Sequence, residues 1–178
     1  MTGNRPEREV VILMTDMVRY SWKTSAMSPE EIRTFLIDYH TAIHGLVDRE
    51  ESGPLEIEPS AGDGCVIIFD KRPGEDKSEI CTRALQVAVR IARAVNDGHL
   101  QSTRMGLLLG DITEARLGSR VVRFGASFAV ANRLEELCGY FGTDLLMDRE
   151  VARYQRGFER HLLTIAKVSL TSILHPLN

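Results

Sequence analysis

The chain has 178 residues, of which 43% are hydrophobic and 26% charged, as in one soluble globular domain. The net charge of −3 gives no indication of non-specific binding to nucleic acid or to an anionic membrane. No apolar run approaches the roughly 20 residues that span a membrane, and the polar N-terminus lacks the apolar centre of a signal peptide. Because the cysteines lack CxxC spacing, we expect reduced core thiols and a cytoplasmic location.

The first part of the chain predicts a strand, a helix and a hairpin. Residues 1–8 are interpreted as a flexible lead-in, and the apolar run over 9–16 predicts a buried strand. A capping-box pattern opens a helix over 28–51, whose apolar residues recur at helical spacing. Residues 55–69 predict a β-hairpin that turns near Asp63.

The second part of the chain predicts further helices and strands around glycine-rich breaks. In order, these are a helix over 78–96, a strand over 105–111, a strand at Val121 and Val122, a helix over 127–138 ended by Gly139, a strand over 143–147, a helical turn over 148–154 and a terminal hairpin over 161–177. This order predicts an α+β fold over a single domain, with a ferredoxin-like β-α-β-β-α-β core and C-terminal additions. We expect a largely antiparallel sheet with the helices on one face.

Two acidic residues lie at the ends of predicted apolar strands. Asp16 ends the first strand, and Asp63 opens the second strand of the hairpin. A carboxylate has little reason to lie there unless a positive charge meets it. If the two strands are neighbours, both acids can converge on one cation. Either acid alone could equally well shape a turn, so the hypothesis rests on the pair.

Four segments resemble the motifs of class III nucleotidyl cyclases, in order and with matching spacing over roughly residues 9–148. The resemblance implies the class III cyclase fold. The segments are 11–21, which resembles the first metal motif F-x-D-I-V-G-F-T; 62–69, which resembles the second metal motif G-D-A-V-x-x-x-F; 106–112, which resembles G-I-H-T-G-E-V; and 124–135, which resembles I-G-D-A-V-N-L-A-A-R-L-E.

The resemblance also implies a metal site. Asp16 and Asp63 would hold two Mg²⁺ or Mn²⁺ ions per site, with the backbone of Met17 as a further ligand. The backbone of Met17 and Val18 would help to hold metal and phosphate.

Three cations are candidates for contacts with a nucleoside triphosphate. The resemblance implies that Arg133 stabilises the α-phosphate, although it could instead form only a bridge to Glu136 or Asn132. Arg19 or Lys167 could meet the β- and γ-phosphates. For Arg19, a surface charge or an ion pair with the acid that ends the first strand is an open alternative.

Several positions depart from the purine cyclases of this family. Pro59 and Val122 occupy the positions that usually read the base, Ala129 replaces the asparagine that orients the ribose, and Arg19 replaces a glycine. Neither Pro59 nor Val122 offers a side-chain hydrogen bond to a purine edge. The pattern resembles the pyrimidine cyclases of Pycsar anti-phage systems, which implies UTP or CTP as substrate and a separate effector activated by the product. The sequence does not choose between uracil and cytosine.

The resemblance further implies a head-to-tail homodimer with composite sites, in which one protomer supplies the metals and its partner supplies Arg133. Two other functions stay open at this point. One is an adenylate or guanylate cyclase with an atypical base pocket. The other is a catalytically silent domain that binds a nucleotide or a partner, for which Ala129 is the best support.

Overall fold

The computed structural model describes residues 7–47, 53–60 and 62–165 of the chain. The described helices include none that is long and apolar enough to cross a membrane. The elements, in order, are β1 (Arg8–Met17), α1 (Tyr20–Thr24), α2 (Pro29–Val47), β2 (Glu56–Ser60), β3 (Gly64–Phe69), α3 (Lys77–Asn96), β4 (Thr103–Leu117), β5 (Arg120–Phe124), α4 (Ala126–Phe141), β6 (Leu145–Met147), α5 (Arg149–Arg153) and a 3-10 helix (Glu159–His161).

The sheet is built around β1, which lies between β3 and β4, and β2 pairs with the other edge of β3. All of these pairings are antiparallel. Because β3 lies between β1 and β2, the connectivity is that of the ferredoxin-like split unit, and the predicted β-α-β-β-α-β core is confirmed. The additions extend β4: β6 pairs with it in parallel, and β5 pairs with its C-terminal part in antiparallel.

Helices cover both faces of the sheet. Side chains alternate along β1, so that Val11 and Leu13 join a core with α2 and α3. Ile12 and Met14 point the other way and join a second core that includes Val130 of α4. The prediction that the helices share one face is therefore wrong for α4. Periodicity shows that a helix has an apolar side, but it does not show which face of the sheet that side covers.

The predicted boundaries at the N-terminal end need two corrections. Arg8, assigned to the flexible lead-in, begins β1 because it pairs with Ile112 of β4, whereas residues 1–6 lie outside the described ranges. The predicted connection over 17–27 contains α1, a helix of five residues. So short a helix gives no recognisable periodicity.

Two predictions fall partly outside the described residues. The helix predicted over 28–51 is described as far as Val47. The terminal hairpin predicted over 161–177 is described only at its start, where residues 162–165 form no strand. The rest of that hairpin lies outside the described residues.

Glycines allow α4 to lie directly on β4. A Cβ atom at Gly106 would come within 2.2 Å of the Ala131 carbonyl oxygen of α4, so only glycine fits this approach. Gly139 was predicted to end α4, but the helix continues to a left-handed Gly142. A Cβ atom at Gly139 would lie 2.7 Å from the guanidinium of Arg104, so this glycine makes room for a side chain of the sheet.

Candidate active site

Asp63 lies in the turn between β2 and β3. The structure explains why glycine occupies the positions on both sides of it. Gly62 has a φ of 103°, a conformation that residues with a side chain rarely adopt. A Cβ atom at Gly64 would lie 2.9 Å from the Thr15 carbonyl oxygen and 3.1 Å from that of Ser60. The Gly-Asp-Gly sequence therefore draws the turn tightly against β1.

The pairing of β1 with β3 brings the two acids together. Thr15 lies opposite Cys65 in the register, which places Asp16 beside the turn that carries Asp63. The side chains of Asp16 and Asp63 are within hydrogen-bonding contact, and the Met17 N–H donates to the Asp63 carboxylate. Burial and the neighbouring charge of Asp16 raise the pKa of Asp63 above its usual value. The predicted convergence is thus present in the structure, while the role of the acids as metal ligands stays a prediction.

Arg104 is a charge at this site that sequence reasoning missed. It lies opposite Asp16 in the register of β1 and β4, and its Nη2 donates to the Asp16 carboxylate at 3.1 Å. Its Nε lies 3.0 Å from Oε1 of Glu135 on α4. A signal was available, because strand alternation places Arg104 on the same face as Gly106 of the third motif, next to the acid that ends β1.

Glu135, which is buried, is a second ionisable residue of the site that sequence reasoning missed. Although it lies within ion-pair distance of Arg104, neither Nε nor Oε1 has a hydrogen-bond partner among the described residues, so the contact is electrostatic. Burial, followed by the charge of Asp16, raises the pKa of Glu135 to about 7, and Arg104 partly opposes this shift. The site therefore holds three acids and one guanidinium, and the guanidinium of Arg104 contacts two of the acids, Asp16 and Glu135.

The donor set fits a hard divalent cation. Asp16 and Asp63 offer carboxylate oxygens, and two such groups in contact are mutually destabilising unless a cation or a proton neutralises them. The described residues contain no group of three His, Cys, Asp or Glu side chains suited to a metal. Mg²⁺ nevertheless fits, because it is commonly held by one or two carboxylates together with substrate phosphates and water.

The backbone after Asp16 already forms a hydrogen bond within the chain. The Val18 N–H donates to the Ser102 carbonyl at 2.8 Å, so a phosphate contact at this amide would require that bond to open. Arg19 is exposed and has a left-handed backbone, with φ 60° and ψ 34°. Its side chain forms no ion pair with Asp16 in the described part of the chain, since the partner of that acid is Arg104.

Among the described residues, the other predicted contacts form no ion pair with Asp16 or Asp63. Arg133 of α4 has a half-exposed side chain and pairs with Glu136, as its alternative interpretation predicted. Within the described ranges it makes no ion pair with either acid. The remaining candidates are Ala129, exposed one turn before Arg133; Pro59, exposed in β2; Val122, exposed in β5; and Lys167, which lies outside the described residues.

The β4–β5 hairpin exposes apolar side chains beyond the sheet. Leu117 is 74% exposed and Phe124 47%, and Val121 and Val122 are exposed beside them. The base of the hairpin is fixed by Arg123, which donates to Glu114 at 2.8 Å and pairs with Glu56 of β2. A hairpin held firmly at its base presents these apolar side chains to solvent or to another molecule.

No protein-family model matches the sequence. The chain is similar to an adenylate cyclase of Anabaena cylindrica, with 27% identity over 170 residues that cover 85% of this chain and 32% of the cyanobacterial protein. The chain thus spans about a third of the length of this curated relative.

Solved structures of cyclases superpose on most of the chain. The adenylyl cyclase CyaB of P. aeruginosa has a TM-score of 0.72 at 14% identity, over 97% of this chain and 92% of that one. The guanylyl cyclase Cya2 has a TM-score of 0.70 at 17% identity, over 98% and 91%. The catalytic core of a rhodopsin-guanylyl cyclase with converted specificity, in complex with ATPalphaS, has a TM-score of 0.73 at 16% identity, over 96% and 93%. The chain therefore has the fold of class III adenylyl and guanylyl cyclase catalytic domains.

Proposed function

We propose that the chain is a nucleotidyl cyclase that converts a nucleoside triphosphate, preferably UTP or CTP, into its 3′,5′-cyclic monophosphate and pyrophosphate. The observation that carries the proposal is the contact between the Asp16 and Asp63 carboxyl groups at the C-terminal end of β1, in a sheet with the cyclase fold. Two acids in contact, of which Asp63 is buried and Asp16 is partly exposed, have little structural value by themselves, because each disfavours the charge of the other. A divalent cation bound between them, together with a triphosphate, would neutralise this repulsion.

Asp16 and Asp63 would hold two Mg²⁺ or Mn²⁺ ions. When bound, the ions lower the pKa of the ribose 3′-hydroxyl and neutralise the charge of the leaving pyrophosphate. The side chains of the chain itself position the substrate and supply fixed positive charge, which accounts for most of the catalysis of phosphoryl transfer.

Arg104 is a cation in direct contact with Asp16. Its guanidinium already pairs with Asp16 and lies beside Glu135. Once the carboxylates are neutralised by metal, the same guanidinium can turn its donors to phosphate oxygens. Arg19, exposed at the end of β1, would contact the terminal phosphates.

Arg133 would act on the α-phosphate of the site of a partner protomer. In the described part of the chain it pairs with Glu136 and forms no ion pair with either acid. The apolar β4–β5 hairpin offers a surface for a second copy of the chain. A head-to-tail homodimer with two composite sites would then join the acids of one protomer to Arg133 of the other.

The preference for a pyrimidine rests on missing donors and acceptors. Pro59, Val122 and Ala129 are exposed and carry no side-chain group that can hydrogen-bond to a base edge or a ribose. A site that selects a purine needs such groups. By the resemblance to Pycsar cyclases, the product would be a second messenger of anti-phage defence that activates a separate effector.

A purine cyclase is the second candidate, and the similarity to an adenylate cyclase of Anabaena cylindrica favours it. In this case the base would be read by backbone groups or by residues outside the described ranges. The metal site and the role of Arg133 would be the same, so the substrate alone separates the two candidates.

The test is turnover of ATP, GTP, CTP and UTP with Mn²⁺, followed by identification of the cyclic product. We expect cyclic UMP or cyclic CMP from the wild type and at least a thousandfold loss in Asp63→Ala, since a metal ligand is removed. The matched control is Asp38→Ala, which removes an exposed acid of α2 and should not change the rate. Cyclic AMP or cyclic GMP as the only product would reject the pyrimidine preference. Nucleotide binding by calorimetry without release of pyrophosphate would indicate a silent domain.

A further inference from the structure

His40 on α2 links that helix to the turn that carries Asp63. Its Nε2 lies 2.9 Å from the Gly62 carbonyl oxygen, and its Nδ1 lies 3.1 Å from the sulfur of Cys65. Both partners flank Asp63 closely in sequence. The ring therefore spans the two ends of the turn from the neighbouring layer of the fold.

The chemistry of the partners fixes the tautomer of the ring. A carbonyl oxygen can only accept, so Nε2 of His40 carries the proton and donates to Gly62. Nδ1 then accepts from the Cys65 thiol. The result is a directed chain from Cys65 through His40 to the backbone of the turn.

The hydrogen bond from His40 restrains the turn at Gly62, where the glycine itself leaves the backbone free to move. Gly62 has a φ of 103°, in a region where glycine moves freely and other residues are strained. On its other side, Cys65 is tied to β1, since its N–H donates to the Thr15 hydroxyl at 3.2 Å. The start of β3 is thus fixed, whereas the carbonyl before Asp63 is held in place by His40.

We infer that His40 is a positioning residue, which sets the place of the Asp63 carboxylate through the Gly62 carbonyl and thereby the affinity of the acid pair for a divalent cation. This inference rests on the proposed function, because it assumes that Asp16 and Asp63 bind the ion. It assigns a role to a histidine whose sequence context is that of an ordinary helix residue. The role is one of orientation, since His40 contacts the turn and not the ion.

Two amide variants test the two hydrogen bonds of the His40 ring separately. His40→Gln places an amide nitrogen at the position of Nε2 and can still donate to Gly62. His40→Asn places one near Nδ1, which reaches towards Cys65 but not towards Gly62. The matched control is His44→Gln, one turn further along α2, because the side chain of His44 makes no hydrogen bond to any described residue.

The measurement is the dissociation constant of Mn²⁺, from the loss of the free-ion signal in electron paramagnetic resonance, with the melting temperature recorded for each variant. We expect His40→Asn and His40→Ala to weaken Mn²⁺ binding about tenfold, as for residues that orient metal ligands. His40→Gln should stay within about threefold of the wild type, since the bond to Gly62 is retained. His44→Gln should match the wild type.

Two results would overturn the inference while leaving the proposed function intact. One is an unchanged Mn²⁺ affinity in His40→Ala. The other is an equal loss of affinity in His40→Gln and His40→Ala, which would mean that the hydrogen bond to Gly62 is not the cause. Conversely, Mn²⁺ binding that depends on His40 in a protein that forms no cyclic nucleotide would reject the cyclase and leave the positioning role. A wild type that does not bind Mn²⁺ would reject both.

Discussion

Arg19 is the only non-glycine residue with a positive φ among those the structure describes. A left-handed conformation costs a residue with a Cβ atom about 1–2 kcal/mol relative to the right-handed one. The related motif has a glycine at this position, which would adopt the conformation without strain. Such strain concentrates at functional sites, and an exposed arginine that follows Asp16 by three positions is well placed to contact a triphosphate.

Replacement of Arg19 by glycine should separate stability from function. We expect Arg19→Gly to raise the free energy of unfolding by up to about 1 kcal/mol, because the strain is relieved. The same change should raise KM for the triphosphate about tenfold, as expected for the loss of a charge-assisted hydrogen bond. Chemical denaturation and steady-state kinetics measure the two effects. Arg19→Lys is the control, since it keeps both the strain and the charge. A gain in stability with an unchanged KM would show that the arginine has no part in substrate binding.

At the scale of elements, the position of α4 determines the electrostatics of the site. Gly106 and Gly110 remove side chains from β4 where α4 approaches most closely. This close approach buries Glu135 beside Arg104 and Asp16. The same contact that stabilises the layer thus places a carboxyl group where its charge is disfavoured.

The pH dependence of stability should show the protonation of Glu135. Its pKa rises from 4.5 unfolded to about 7 folded, so the folded state holds a proton that the unfolded state releases between these values. Stability from this group is complete below about pH 4.5 and is lost as the pH rises through 7. Without divalent cations, we expect the free energy of unfolding to fall over this window, and less steeply in Glu135→Gln. Part of the slope should persist, since the pKa of Asp148 is also raised, to about 6.

Glu58→Gln is the matched control for this titration, because Glu58 is an exposed acid of β2. Its unfolding curve should keep the slope of the wild type. Denaturant titrations at several pH values give the free energies directly. If Glu135→Gln also kept the full slope, burial beneath α4 would not be the source of the pH dependence.

At the scale of the whole molecule, the sequence predicts the features that depend on neighbouring residues, such as strands, helices, turns and the order of the motifs along the chain. The strand pattern and the Gly-Asp-Gly turn predict that Asp16 and Asp63 converge if their strands are neighbours, and the pairing of β1 with β3 meets that condition. Arg104 and Glu135 escaped prediction because their role arises only when α4 packs on β4. The wrong prediction for Gly139 has the same cause. In the sequence this glycine resembles the end of a helix, but in the structure it makes room for Arg104. Local patterns do not contain the contacts between layers.

The composite dimer can be tested by complementation between two inactive variants. Asp63→Ala lacks the acid of the metal site, and Arg133→Ala lacks the cation proposed to act in the site of the partner. In an equal mixture that exchanges subunits, half of the dimers are mixed, and one of the two sites in each mixed dimer contains both intact groups. We therefore expect about a quarter of the wild-type activity, although each variant alone is inactive.

The control for complementation is a mixture of Asp16→Ala and Asp63→Ala. Both changes affect the same half of the composite site, so no mixed dimer contains an intact site and no activity should return. Coexpression of each pair, followed by the turnover assay on the purified mixture, makes the comparison. Because neither variant chain contains both Asp63 and Arg133, restored activity requires that Arg133 of one protomer acts with the acids of another. Failure of the first pair to recover, with dimers present by light scattering, would mean that each protomer builds its site alone.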